Sequence, residues 1–164
     1  MFKIKFSGKD FIKNNMTKKI YKQIQLTNQK VGAVAVDEAM PLGLVTRRIN
    51  APAPACTTFQ LASSNADTLY LNEPGFYKVT YSASLTAGAV GDLTLSLTGN
   101  GTTFYTVQET VAADDIYNFT LPYTVRVCSN CNATPTTCPM ALQVVLGGVA
   151  VTGTSSNLIV EKIQ

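Results

Sequence analysis

The sequence predicts an all-β protein, an antiparallel β-sandwich of the jelly-roll kind, carried on an extended N-terminal arm. Residues 75–85 read GFYKVTYSASL, with Tyr77, Val79, Tyr81, Ala83 and Leu85 on one face and Lys78, Thr80, Ser82 and Ser84 on the other. That is the period-two pattern of a half-buried strand, in residue types that suit a pleated surface. Similar runs recur from about residue 55 to the end, separated by Pro, Gly, Asn and Asp. Hydrophobic residues make up 46% of the chain and charged residues only 14%, so there is material for a sandwich core under a surface of Thr, Ser, Asn and Gln. Such surfaces are common on β-rich assembly proteins.

The strands follow in order. Residues 57–61 and 68–71 are short candidates. Glu73-Pro74-Gly75 then makes a turn, because Pro fixes φ and Gly tolerates positive φ, and it launches the long strand at 76–85. Over 92–98, Leu93, Leu95 and Leu97 alternate with Thr94, Ser96 and Thr98, and Gly99-Asn100-Gly101 turns the chain into 103–111. After a turn at Asp114-Asp115, residues 116–127 place Tyr117, Phe119, Leu121, Tyr123, Val125 and Val127 on one face. Pro122, on the other face, lacks an N–H, which predicts an edge or a bulge.

Residues 140–151 differ in being apolar on both sides. Met140, Leu142, Val144 and Leu146 share one face, while Ala141, Val145, Val149 and Val151 share the other. Such a strand must be covered twice, once by the core and once by a neighbouring subunit or by the chain's own loops. Residues 156–163 close the body, giving about eight strands joined by short turns, a pattern that favours a sandwich or jelly roll.

Residues 1–50 have another character. They carry ten basic side chains against three acidic ones, whereas residues 51–164 carry three against seven. This asymmetry points to a basic arm that docks on something acidic, with Lys18, Lys19, Lys22, Arg47 and Arg48 as the expected anchoring residues. The competing reading is that lysines merely solubilise a loose terminus. Apolar runs at 31–36 and 42–45 are split by Asp37-Glu38 and Pro41, too short for a core of their own. The expected organisation is an arm over 1–50, an Ala/Pro linker over 51–55 that favours an extended conformation, and a body over 56–164. Met16 is a second candidate start. Charge interrupts the first residues before any secretory apolar core develops, and no window approaches the ~20 apolar residues of a membrane helix. Synthesis in the cytoplasm, with no membrane partner, is therefore expected.

The chemistry is sparse. The chain contains no histidine, which removes Ser-His-Asp and Cys-His catalysis and every His-ligated metal site. Asp114-Asp115 reads as a solvated turn, and no carboxylate pair has the look of a glycosidase site. Cys128, Cys131 and Cys138 lie on one loop, with Cys56 distant in sequence. Zinc binding, one or two disulfides, and free thiols all remain open for these four. Aromatic stacking platforms are scarce in the basic arm, so nucleic acid is not an expected partner. The sequence is read as a non-enzyme with no cofactor.

The run 74–84 (PGFYKVTYSAS), the Gly-Asn-Gly turn and the closing 156–163 (SNLIVEKI) resemble the complement/tumour-necrosis-factor jelly-roll superfamily. Within it they most resemble the bacterial and phage branch, which includes spore-surface collagen-like tips and phage decoration or head-fibre proteins. The resemblance covers about residues 55–164. It implies a jelly roll assembled as a homotrimer around a threefold axis, with a binding or structural role. The expected trimer interface is the strand that is apolar on both sides, through Leu142, Val144, Val145, Leu146, Val149 and Val151. No collagen-like tract precedes the body, and the cysteine loop at 128–138 has no counterpart in the resemblance. The basic arm and Ala/Pro linker suit a virion protein. The expected function is a capsid decoration or head-fibre protein of a bacteriophage, anchored to the capsid shell protein by its arm and displaying a trimeric body. The alternative is a carbohydrate- or receptor-binding tip of a spore-surface or adhesin-like fibre, with a host-surface glycan or receptor as partner.

Overall fold

The computed structural model describes residues 22–29, 32–49, 58–62, 66–128 and 139–163. Ten strands run through them in the order β1 (Lys22–Asn28), β2 (Leu44–Ile49), β3 (Phe59–Leu61), β4 (Leu69–Leu71), β5 (Gly75–Ala87), β6 (Gly91–Gly99), β7 (Thr102–Val111), β8 (Ile116–Val127), β9 (Met140–Gly147) and β10 (Val151–Lys162). They form two five-stranded sheets, β2-β1-β10-β5-β8 and β3-β4-β9-β6-β7, and every strand pairing is antiparallel. This is a jelly-roll sandwich.

Alternation explains the core. From the first sheet β5 buries Tyr77, Val79, Tyr81, Ala83, Leu85 and Ala87, and β8 buries Phe119, Leu121, Val125 and Val127. Across the interlayer β6 contributes Leu93, Leu95 and Leu97, and β9 contributes Met140, Leu142, Val144 and Leu146. Each large apolar side chain so placed contributes about 1.5–3 kcal/mol. A one-residue slip would carry the whole set into water, so the register is strongly specified. Asn100 (φ 47°) and Gly101 (φ 79°) sit at positive φ between β6 and β7, as the hairpin turn requires. β8 is the edge strand that Pro122 foretells, and Pro122 faces Thr80 across the ladder.

Two expectations are corrected. Residues 22–49 are not an arm. β1 lies between β2 and β10 in the first sheet, and Ile24, Leu26, Val34, Met40 and Leu42 are core residues. The apolar runs expected to be too short to stand alone are short because they complete a core built by the rest of the chain. Residues 1–21 and the linker 51–55 lie outside the described residues.

The stretch 140–151, moreover, is not one strand. β9 ends at Gly147, Gly148 adopts φ 78°, and Val151 opens β10 in the other sheet. A Cβ on Gly148 would collide with the Asp92 carbonyl oxygen, so the turn there needs glycine. Reading alternation straight through that turn is what made the stretch look greasy on both faces.

The sandwich has two ends. At one, the base, lie the start of β1, the end of β10 and the turns 72–74 and 99–101. At the other, the tip, lie the connections 88–90, 112–115 and 148–150. Residues 33–42 form a strap along β9 and the start of β10: Val34 exchanges backbone hydrogen bonds with Val151, Leu146 N–H donates to Glu38 O at 3.0 Å, and Met40 N–H donates to Val144 O at 2.7 Å.

Candidate assembly surfaces

The residues expected to form the trimer interface are mostly interior. Leu142, Val144, Leu146 and Val151 are at most 1% exposed within a single subunit, and Val149 is also buried. Only Val145 is half-buried, beside Ser96 of β6 and Ala39 of the strap. These side chains hold the two layers together and offer little to a second copy.

The expected anchoring residues divide as well. Lys18 and Lys19 lie outside the described residues. Lys22 is occupied: its Nζ is 2.8 Å from Glu73 Oε1 and 2.8 Å from Thr58 Oγ1. Lys162 Nζ reaches Glu73 Oε2 at 2.7 Å, so one carboxylate from the β4–β5 turn clasps the first described residue of β1 and the last of β10. Burial by itself would raise the Glu73 pKa, but hydrogen bonds from Lys162, Lys22 and Thr58 outweigh it and hold the carboxyl down at about 2. Arg48 is half-buried, its guanidinium 3.5 Å from Phe59 O, while Arg47 is exposed.

Cys128, just past β8, is disulfide-bonded, so its sulfur is not a thiolate offered to zinc. Cys56, Cys131 and Cys138 lie outside the described residues. Among the described residues no three His, Cys, Asp or Glu side chains group to hold a metal ion. No helix there is long and apolar enough to cross a membrane.

Two surfaces stand out that sequence reasoning missed. The first is the side where β7 and β8 run as the open edges of the two sheets. Phe104 and Tyr123 stack there with centroids 5.7 Å apart and planes at 4°, and Tyr105 lies 6.2 Å from Tyr123 at 26°. Tyr105 is 37% exposed, and Phe104 and Tyr123 are half-buried. The three rings sit on the core-facing sides of β7 and β8 and fill the gap between the two edge strands, beside unpaired backbone groups that invite pairing.

The second is the outward face of the first sheet. Thr27, Asn157, Ser82 and Thr120 form one cross-strand row over β1, β10, β5 and β8, and Ser155, Ser84 and Asn118 form the next. Gln25 Nε2 donates to Asn157 Oδ1 at 2.9 Å. These rows enclose a shallow groove of about 400 Å³ with no charged side chain in its lining. Small uncharged side chains let another surface approach closely. Beneath this face, Tyr81 is fully buried. Burial pushes its hydroxyl up to about 12, which nearby Ser156 lowers only in part.

The fold is a two-sheet antiparallel jelly roll. No protein-family profile and no curated protein sequence matches the chain. Solved structures do match in fold. The globular domain of zebrafish complement 1qA protein superposes with a TM-score of 0.63 at 7% identity, over 87% of this chain and 98% of that one. The Eiger TNF from S. frugiperda gives 0.62 at 11%, over 88% and 92%. The PRD1 vertex protein P5 gives 0.54 at 14%, over 87% and 97%.

Proposed function

We propose that this chain is a non-enzymatic structural protein of a virion, of the capsid decoration or head-fibre type, whose jelly-roll body assembles as a homotrimer. The observation that carries the assembly is the aromatic edge at Phe104, Tyr105 and Tyr123, set on a different side of the molecule from the uncharged face around Ser82 and Asn157. An edge that packs on the face of the next copy is a heterologous contact, and such contacts close into a ring when the rotation between copies is a whole fraction of a turn. Three copies is the number implied by the resemblance to the tumour-necrosis-factor jelly roll. The interface lies on β7, β8 and the uncharged part of the outward face of the first sheet around Ser82, Ser84 and Asn157, not on β9.

The virion setting rests on the likeness to a vertex protein and on the basic segment that joins the body at Lys22. That segment anchors the body to the shell. Electron microscopy of the particle that carries this polypeptide, with an antibody against the body, tests the reading. Antibody on knobs or spikes standing on a shell is the expected result. Label along a filament, or on no particle, overturns it and favours a fibre-tip module for a glycan or receptor.

A further inference from the structure

The two ends of the sandwich carry opposite charge. Every described cation lies in the half nearer the base: Lys22 and Lys162 at the strand ends, Arg47 and Arg48 at the end of β2, Lys78 near the start of β5 and Arg126 near the end of β8. The tip holds Asp37 and Glu38 in the strap, Asp92 and Glu109 where β6 and β7 meet it, and Asp114 and Asp115 in the β7–β8 turn. No cation is placed there among the described residues; Lys30 is not one of them. Asp67, ahead of β4, belongs to neither end.

The separation is large on the scale that matters. β5 spans the body with 13 residues, which at ~3.3 Å per residue is about 40 Å. The Debye length in physiological salt is about 8 Å. A surface approaching one end therefore senses that end and not the other. Within the base, Glu73 is spent on Lys22 and Lys162, and Glu161 faces Lys78 across the β10–β5 ladder. Arg47, Lys78 and Arg126 are exposed, with Arg126 lying over the Phe76 ring at 5.8 Å. Residues 1–21, with six lysines and one aspartate, join the body at this same end.

We propose that the base of the body is itself a docking surface for an acidic protein surface, with Arg47, Lys78 and Arg126 as its contact cations. The acidic tip is repelled by the same surface, so the body stands base-down. This inference rests on the anchoring reading above and moves part of the attachment from the N-terminal segment to the folded body. An acidic protein surface is favoured over nucleic acid because this end presents three dispersed cations, and the Phe104–Tyr123 stack in the same half is half-buried against the core rather than laid open as a platform for bases.

The test is binding of the full-length chain to a sensor coated with poly-L-glutamate, and to one coated with duplex DNA. The variants are the base reversal R47E/K78E/R126E, a milder R47Q/K78Q/R126Q, and the tip reversal D37K/D114K/D115K, each checked for native circular dichroism. The expected result is a loss of about tenfold or more for the base reversal, a smaller loss for the neutral variant and none for the tip reversal, all abolished in about 0.5 M salt. Wild-type binding that both base variants leave unchanged overturns the inference alone, because the N-terminal segment then carries attachment by itself. No wild-type binding overturns the inference and the anchoring reading together. Tighter binding to DNA than to polyglutamate overturns the assignment of a protein partner.

Discussion

The Met40 N–H donates to the Val144 carbonyl at 2.7 Å, the shortest of the backbone bonds that tie the strap to the strand expected to lie at a subunit boundary. Met40 is 0% exposed and packs into the core alongside Leu42. The strap covers the part of β9 that the short β4 leaves unpaired, since β4 reaches only Met140 to Leu142. The apolar character of residues 140–151 is thus consumed within one subunit.

Met40→Ala should therefore destabilise the chain strongly, by about 2–5 kcal/mol for a large-to-small change in a packed core. Val145→Thr, on the outward side of β9, should shift stability by about 1 kcal/mol or less and leave the assembly state unchanged. Urea denaturation and sedimentation of the two variants check the pair. A dissociated Val145→Thr protein would restore the boundary to β9.

The Glu73 clasp makes a pH prediction. Its carboxyl is depressed to about 2 from an ordinary 4.5, so its contribution is present above pH 4.5 and is lost as pH falls towards 2. Glu73→Gln should be less stable than wild type at pH 7, by about 1 kcal/mol for a partly exposed ion network. The gap should close on acidification through that window. Thermal melts of both proteins from pH 7 to pH 2 measure it.

Tyr81 sets the alkaline limit. Its hydroxyl is raised from 10 to about 12, so the stability tied to its neutral form is intact below pH 10 and is lost as pH rises through 12. Wild type and Tyr81→Phe should therefore diverge above pH 10, with the variant keeping more of its stability. Ultraviolet titration of the seven tyrosines should show at least one that ionises last, and that one should be missing from the variant.

Much of the fold was legible because strand alternation is a local signal. Tyr77 to Leu85 and Tyr117 to Val127 each name their buried face, and β8 runs over the span expected, Ile116–Val127. What failed was non-local. β1 and the strap, with Ile24, Leu26, Met40 and Leu42, look like an arm because their apolar runs are short. Nothing nearby says that β10, more than 130 positions later, pairs with Lys22. The Gly147-Gly148 turn was visible as a dipeptide, but alternation was carried through it into Val149 and Val151.

The assembly surfaces were less legible than the fold. Phe104, Tyr105 and Tyr123 come from two strands of different sheets, and only folding brings them together. Tyr105 pairs with Leu97 of β6 and shares its core-facing side, and only Pro122, which marks β8 as an edge, hinted that Tyr123 would meet it there. The charge asymmetry was seen along the sequence, between residues 1–50 and 51–164. In space it follows the long axis of the sandwich, because antiparallel strands return Lys78, Arg126 and Lys162 to the end where Lys22 begins.

Sedimentation equilibrium of the full-length protein, beside a Tyr105→Asp variant, tests edge-to-face assembly most directly. The account predicts a wild-type mass three times the chain's 17.6 kDa and a folded Tyr105→Asp protein at the single-chain mass. A wild-type protein that sediments as one chain, or a trimer that Tyr105→Asp leaves intact, contradicts it.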